Sequence, residues 1–147
     1  MQVAFENGAT RAGTLLLRVA LGTMFIAHAL LKYYVFTLAG TAQFFESLGL
    51  PGALGYVTFY AELLGGVLIL LGVHTRYVAL ALVPVLIGAT WAHAGNGWLF
   101  TAPNGGWEYP AFLTIAAIVQ AFLGDGALAL RPTFRSAAPR TSFAAAR

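Results

Sequence analysis

Cysteine is absent from the 147 residues. That removes disulfides, thiolate-held metal or iron–sulfur sites and dithiol redox pairs from consideration. Charge is nearly as scarce: Asp, Glu, Lys and Arg make up 9% of the chain, against about 25% in ordinary soluble domains. So few charges cannot coat a water-facing exterior. With 59% hydrophobic residues, the natural solvent for the outer surface is lipid. No dinucleotide-binding glycine fingerprint occurs, and no fixed-period repeat is present.

What is there is four long apolar segments, Thr14 to Phe36, Leu54 to Val73, Tyr77 to Ala94 and Tyr109 to Leu130. Each is close to the ~20 residues that cross a hydrocarbon core ~30 Å thick. Backbone polar groups in lipid must be satisfied within the segment, so each is expected to be a helix. The expected fold is all-α, a polytopic membrane four-helix bundle. Residues 1–13 would form an N-terminal segment, 14–130 the membrane domain and 131–147 a basic, disordered tail rich in Ala, Ser, Pro and Arg, whose arginines touch anionic headgroups. A rival reading of the first segment is a secretory signal with Ala27-His28-Ala29 as its cleavage site. Arg18 interrupts that run, apolar sequence continues past the site, and cleavage would leave an odd number of spans.

The cations sort themselves. Arg11 precedes the first segment, Arg76 lies in the short turn between the second and third, and Arg131, Arg135, Arg140 and Arg147 follow the fourth. The two longer connections, Thr37 to Ala53 and Gly95 to Glu108, hold no Lys or Arg. Positive charge marks the cytoplasmic side, so both termini are expected there, in an inner-membrane protein. Trp91, Trp98 and Trp107 gather at the opposite interface, as interfacial aromatics do. The connection "GNGWLFTAPNGGWE" reads as turns. The connection "TLAGTAQFFESLGLPG" has room for a short helix lying on the membrane, with Phe44, Phe45 and Leu48 on its apolar side and Gly49 and Pro51 ending it.

Inside the spans, ionisable side chains are costly and face the protein interior or a water-filled cavity. At 100° per residue, Thr14, Arg18, His28 and Lys32 fall within an arc of roughly 80° on the first helix. On the second, Gly55, Thr58, Glu62, Gly66 and Ile69 share a face, with Gly65 beside it; glycines let helix backbones approach closely. By rise, His28 and Glu62 both lie roughly 10 Å below the outer boundary, and Arg18 and Asp125 about 6 Å above the inner one. A His28–Glu62 contact in an outward-facing polar pocket is expected, with Lys32 and His93 completing it, and an Arg18–Asp125 ion pair nearer the cytoplasm. Plainer readings stand beside these. Lys32 snorkels to the interface; Arg18 with Asp125 is a structural pair fixing register; His93 is an interfacial histidine; Glu62 is a hydrogen-bonded structural carboxyl. Gln120 has no evident role.

The segments "RVALGTMFIAHALLK", "AELLGGVLILLGVHTR", "WAHAGNG" and "GDGALAL", in this order and on these spans, resemble the DoxX family of small bacterial membrane proteins. The resemblance covers about Leu15 to Leu130. One departure is that the family often ends its fourth span with a glycine motif and Ser-Leu-Asp, where this chain reads Ala129-Leu130-Arg131; no role of that aspartate carries over. The resemblance implies a four-helix inner-membrane protein, commonly labelled an oxidoreductase and tied in some members to quinone chemistry.

Three functions follow. In the first, the chain is a component of a quinone-linked oxidoreductase: His28, Lys32 and His93 donate to the ring carbonyls and Glu62 relays a proton. No residue carries electrons, so a redox partner protein supplies that centre, and quinone is the one cofactor to expect. His28 and His93 as haem or metal ligands lack supporting spacing, so no metal is expected. The second is a small-molecule or proton transporter, which needs a homo-oligomer because four spans are few. The third is a non-catalytic anchor or assembly subunit. The expected partners are the lipid bilayer, the redox protein and further copies of the chain; nothing calls for nucleic acid.

Overall fold

The computed structural model describes residues 2–133, with side chains from residue 8 onward. Within them lie five α-helices: α1 Gln2–Tyr34, α2 Leu38–Ser47, α3 Ala53–Leu71, α4 Thr75–His93 and α5 Glu108–Leu123, with one turn of 3-10 helix, Ala94–Asn96, after α4. Three stretches are long and apolar enough to cross a membrane: Gly8–Tyr34, Ala53–Leu71 and Thr75–Asn96. The chain is a membrane protein by this measure. Helix α5 is also apolar but has only 16 residues, about 24 Å at 1.5 Å per residue.

Two boundaries differ from expectation. Residues 2–13 are no separate segment; they continue α1. The fourth apolar segment does not stay helical to Leu130. It stops at Leu123, because Gly124 and Gly126 both take positive φ, and so does Leu128. The chain then folds back beneath the bundle. Leu130 N–H donates to the Leu71 carbonyl, Arg131 N–H to Gly72, and His74 N–H to the Arg131 carbonyl. Arg131 to Thr133 are therefore fixed against the α3–α4 turn, not part of a free tail. The rest of the expected tail, with Arg135, Arg140 and Arg147, lies outside the described residues.

Helix α2 is the short helix allowed for in the first long connection. Thr37 caps it, its Oγ1 accepting from Gly40 N–H at 3.0 Å. The chain leaves at Gly49, φ +77°. Phe44 is exposed while Phe45 is half-buried.

Neighbouring long helices run antiparallel. Helices α1 and α3 meet where each has a glycine: a Cβ on Gly22 would lie 2.8 Å from Leu70 N, and one on Gly66 2.9 Å from the Phe25 Cβ. The hairpin between α3 and α4 turns on Gly72, at φ +71°, where a Cβ would also strike the Arg18 guanidinium and Ala129. Between the helices lies a dry core of Leu21, Phe25, Ile69, Ala79, Leu82, Leu86, Leu113, Ala117 and Ala121. It holds apart two polar regions, one at each end of the bundle.

Candidate functional site

The predicted polar stripe on α1 faces inward. Thr14 and Arg18 are each 2% exposed, and His28 and Lys32 are half-buried. On α3, Gly55, Glu62, Gly65, Gly66 and Ile69 are buried and Thr58 half-buried. Helix periodicity alone located both faces, since nothing else orients a side chain on an isolated apolar segment.

At the end bearing the two long connections, Lys32 Nζ donates to Glu62 Oε2 at 2.6 Å. The two form a salt bridge, with side chains 17% and 8% exposed. Sequence reasoning expected Glu62 to meet His28; the partner is Lys32, one turn further along the same face of α1. His28 instead gives Nδ1–H to the Met24 carbonyl at 2.8 Å, the i−4 acceptor of its own helix. It still shares the site, because His28, Lys32, Glu62 and His93 all line one cavity of about 140 Å³. Met24, Phe25, Leu86, Ala89, Pro110 and Leu113 form its apolar walls.

Tyr109 is the lining residue that sequence reasoning missed. Its ring stacks on His28, centroids 5.5 Å apart and planes 21° from parallel. Its hydroxyl is buried without a hydrogen-bond partner. A tyrosine at the start of an apolar segment reads as an interfacial aromatic; the following Pro110, which fixes the helix start, was the available hint that this ring is held in place. His93 reaches the cavity from the end of α4, its Nδ1 lying 3.1 Å from the carbonyls of Asn104 and Gly105. The Asn96 amide donates to the same two carbonyls. Glu108 accepts from Phe100 N–H at 2.9 Å. These bonds fold the second long connection over the cavity mouth and set Tyr109 in position.

The other polar region is built differently. The Arg18 guanidinium donates to the main-chain carbonyls of Asp125 and Leu128. The Asp125 carboxylate takes Thr75 N–H at 2.9 Å, Thr133 N–H at 2.7 Å and the Thr133 hydroxyl at 3.1 Å. The expected Arg18–Asp125 ion pair is thus corrected: the residues do meet, but through the backbone. The reason is the glycines on either side of Asp125, which lift it off α5 and turn its carboxylate toward the first N–H groups of α4, where a helix welcomes negative charge. Gln120, 0% exposed, gives its amide to the Gly124 carbonyl at 2.7 Å and so fixes the point where α5 ends.

Among the described residues no three metal-ligating side chains cluster. A wider groove on the outside of α4 and α5, between Trp91 and Trp107, is lined by apolar side chains and two threonines with no charged group. The Lys32–Glu62 cavity is the candidate site because it combines enclosure with titratable side chains.

Residues 13–95 match the DoxX family model. A Bacillus subtilis (strain 168) protein named "Putative oxidoreductase CatD" is 39% identical over 127 residues, 86% of this chain and 90% of that one. No solved structure matches the chain. The chain belongs to the DoxX family of membrane proteins.

Proposed function

We propose that this protein is a membrane component of an oxidoreductase system, and that its cavity at Lys32 and Glu62 receives a quinone headgroup. The observation that carries the reading is a buried ion pair beside an unfilled space the size of one ring. An engineered apolar cavity of about 150 Å³ takes up one benzene, and this one measures about 140 Å³. Lys32 is a donor for a ring carbonyl. Glu62 and His28 stand where protons must be given or taken as the ring changes oxidation state. The name of the Bacillus subtilis relative supports the oxidoreductase part of this reading. No residue of this chain stores electrons, so a partner protein brings the redox centre.

The dry core argues against transport. Leu21, Phe25, Ile69 and Leu82 are each no more than 7% exposed, and they separate the cavity from the Arg18 region. A solute or proton path would have to cross that layer. A non-catalytic anchor leaves the cavity and its ion pair without a purpose.

In the membrane, α1, α3, α4 and α5 each cross once, α5 completed by the segment that follows it. Arg11, Arg76 and Arg131 share one end of the bundle and mark the cytoplasmic face of the inner membrane. The absence of cysteine makes orientation simple to measure. Asn104→Cys will react with an impermeant thiol reagent added outside spheroplasts, and Thr10→Cys only after lysis. The function is tested by purifying the protein in mild detergent and identifying bound small molecules and proteins by mass spectrometry. A quinone retained by the native chain and lost from Lys32→Met and Glu62→Gln is expected. Recovery of neither a quinone nor a redox protein overturns the reading.

A further inference from the structure

The one polar group of the Tyr109 side chain is buried and unspent. Its ring is part of the lining of the Lys32–Glu62 cavity and is held from several sides. It stacks on His28, centroids 5.5 Å apart. Pro110 fixes the helix start on one side of it, and on the other Glu108 is tied to Phe100 N–H. The hydroxyl at its tip is buried and has no partner in the protein. Four other buried atoms share that condition, on Arg18, His74, Thr75 and Gln120. Those belong to the Arg18 region at the far end of the bundle, and Arg18 and Gln120 make hydrogen bonds through their other atoms. Of the five residues, Tyr109 is the one in the lining of this cavity. A buried Tyr hydroxyl ordinarily has a partner, and one without a partner weakens the fold. A phenylalanine would stack on His28 and fill the same space without that penalty.

We propose that Tyr109 is a ligand-binding residue, its hydroxyl donating to an oxygen of the ring that the cavity receives, at a second point besides Lys32. This rests on the quinone-site reading and adds a residue to it. Carbonyl and hydroxyl oxygens both accept, so the role is the same for either oxidation state of the ring. The ligand class is a planar ring with at least one oxygen substituent. Because the Tyr109 ring is pinned, the donor is in place before the ligand arrives, and little freedom is lost on binding. The hydroxyl therefore weakens the free protein and strengthens the complex, as groups kept for function often do.

Tyr109→Phe in the full chain, in mild detergent, separates this role from a structural one. The probes are 1,4-benzoquinone and 1,4-dimethylbenzene, which has methyls in place of the two oxygens. The variant should melt no lower than the native protein, because the free chain loses no hydrogen bond. It should bind benzoquinone about fivefold more weakly, the worth of one neutral hydrogen bond, and dimethylbenzene equally well. A lower melting temperature, or an equal loss of both probes, overturns the proposal, since the hydroxyl would then serve the fold. Unchanged benzoquinone affinity also overturns it and leaves the quinone site standing. Failure of benzoquinone to bind the native chain removes the quinone site and this inference together. A second measurement needs no variant to fold. With carbon-13 at tyrosine Cζ, the Tyr109 signal is that of the tyrosine in the cavity lining, the other five being exposed. Benzoquinone should move it downfield and dimethylbenzene should not; the same response to both probes overturns the proposal.

Discussion

The two polar regions of this protein use similar residue types to opposite ends. Near the Trp-bearing loops, Lys32 and Glu62 bind each other through side chains, and the groups around them keep free valences. At the other end, Arg18 and Asp125 are spent on the main chain: on the carbonyls of Asp125 and Leu128, and on the N–H groups of Thr75 and Thr133. The first arrangement can admit a ligand because its polar groups line a cavity of about 140 Å³. The second closes the bundle through main-chain contacts, and Arg18 Nε, Thr75 Oγ1 and Gln120 Oε1 stay buried there without hydrogen-bond partners. Two buried pairs of Lys or Arg with Asp or Glu, alike in a sequence, therefore differ in kind.

The largest effects should come from breaking the two regions in the same way. Lys32→Met strands a buried carboxylate, and removing one partner of a buried pair costs about 3–5 kcal/mol. Adding Glu62→Leu should recover most of that loss, since two apolar groups then pack where two charges stood. Arg18→Leu should cost about 2 kcal/mol and Asp125→Ala about 3 kcal/mol, from two and three lost hydrogen bonds at about 1 kcal/mol apiece. Here the double substitution should recover nothing, because the main-chain groups stay orphaned whichever side chain is missing. Melting curves in detergent for the two double-mutant cycles decide it. Recovery at the Arg18 end, or none at the Lys32 end, would abolish the distinction.

A middle-sized effect is expected at the seam that joins the two regions. Gly66→Ala forces a methyl to within 3.0 Å of the Gly22 carbonyl and 2.9 Å of the Phe25 Cβ. Overpacking of this kind costs about 1–3 kcal/mol. Because Glu62 lies one turn before Gly66, any outward shift of α3 also separates Glu62 from Lys32. Gly66→Ala should therefore lower both the melting temperature and the retention of the ring probe. Gly88→Ala, on an open face of α4 with nothing near its Cβ position, should change neither. A loss of stability with unchanged probe binding in Gly66→Ala would show that the site does not depend on this helix contact.

How legible these regions were follows from the geometry. The helix faces were readable because a regular helix turns sequence spacing into direction, so Arg18, His28, Lys32 and Glu62 could be placed inward from their numbers. Partner choice was not readable. His28 and Lys32 occupy the same stripe, and the difference between them is that His28 Nδ1 turns back onto the Met24 carbonyl of its own helix while Lys32 reaches Glu62. Asp125 was misplaced because apolar sequence runs on past Leu123. The glycines flanking it were the signal that the helix had ended. Tyr109 escaped because its importance lies in a buried hydroxyl and a stacked ring, and neither has a period.

The smallest effect tests whether the open region owes its shape to the loop above it. Glu108 holds Phe100 N–H from the first turn of α5, one residue before Tyr109. Glu108→Gln keeps an acceptor of the same reach but removes the charge, which should cost about 1 kcal/mol or less, near the limit of a melting curve. The sharper readout is hydrogen exchange of the amides between residues 97 and 107. Trp107 N–H donates to the Gly97 carbonyl and Glu108 N–H to the Trp98 carbonyl. Faster exchange there, with weaker binding of the ring probe, would tie the cavity to its loop, since His93 and Tyr109 are the two lining residues that flank it. Amides of the α3–α4 turn, locked by Asp125 and Arg131 at the far end, should exchange as before. If those amides also speed up, the two regions are coupled through the core and do not behave as an open site and a closed lock.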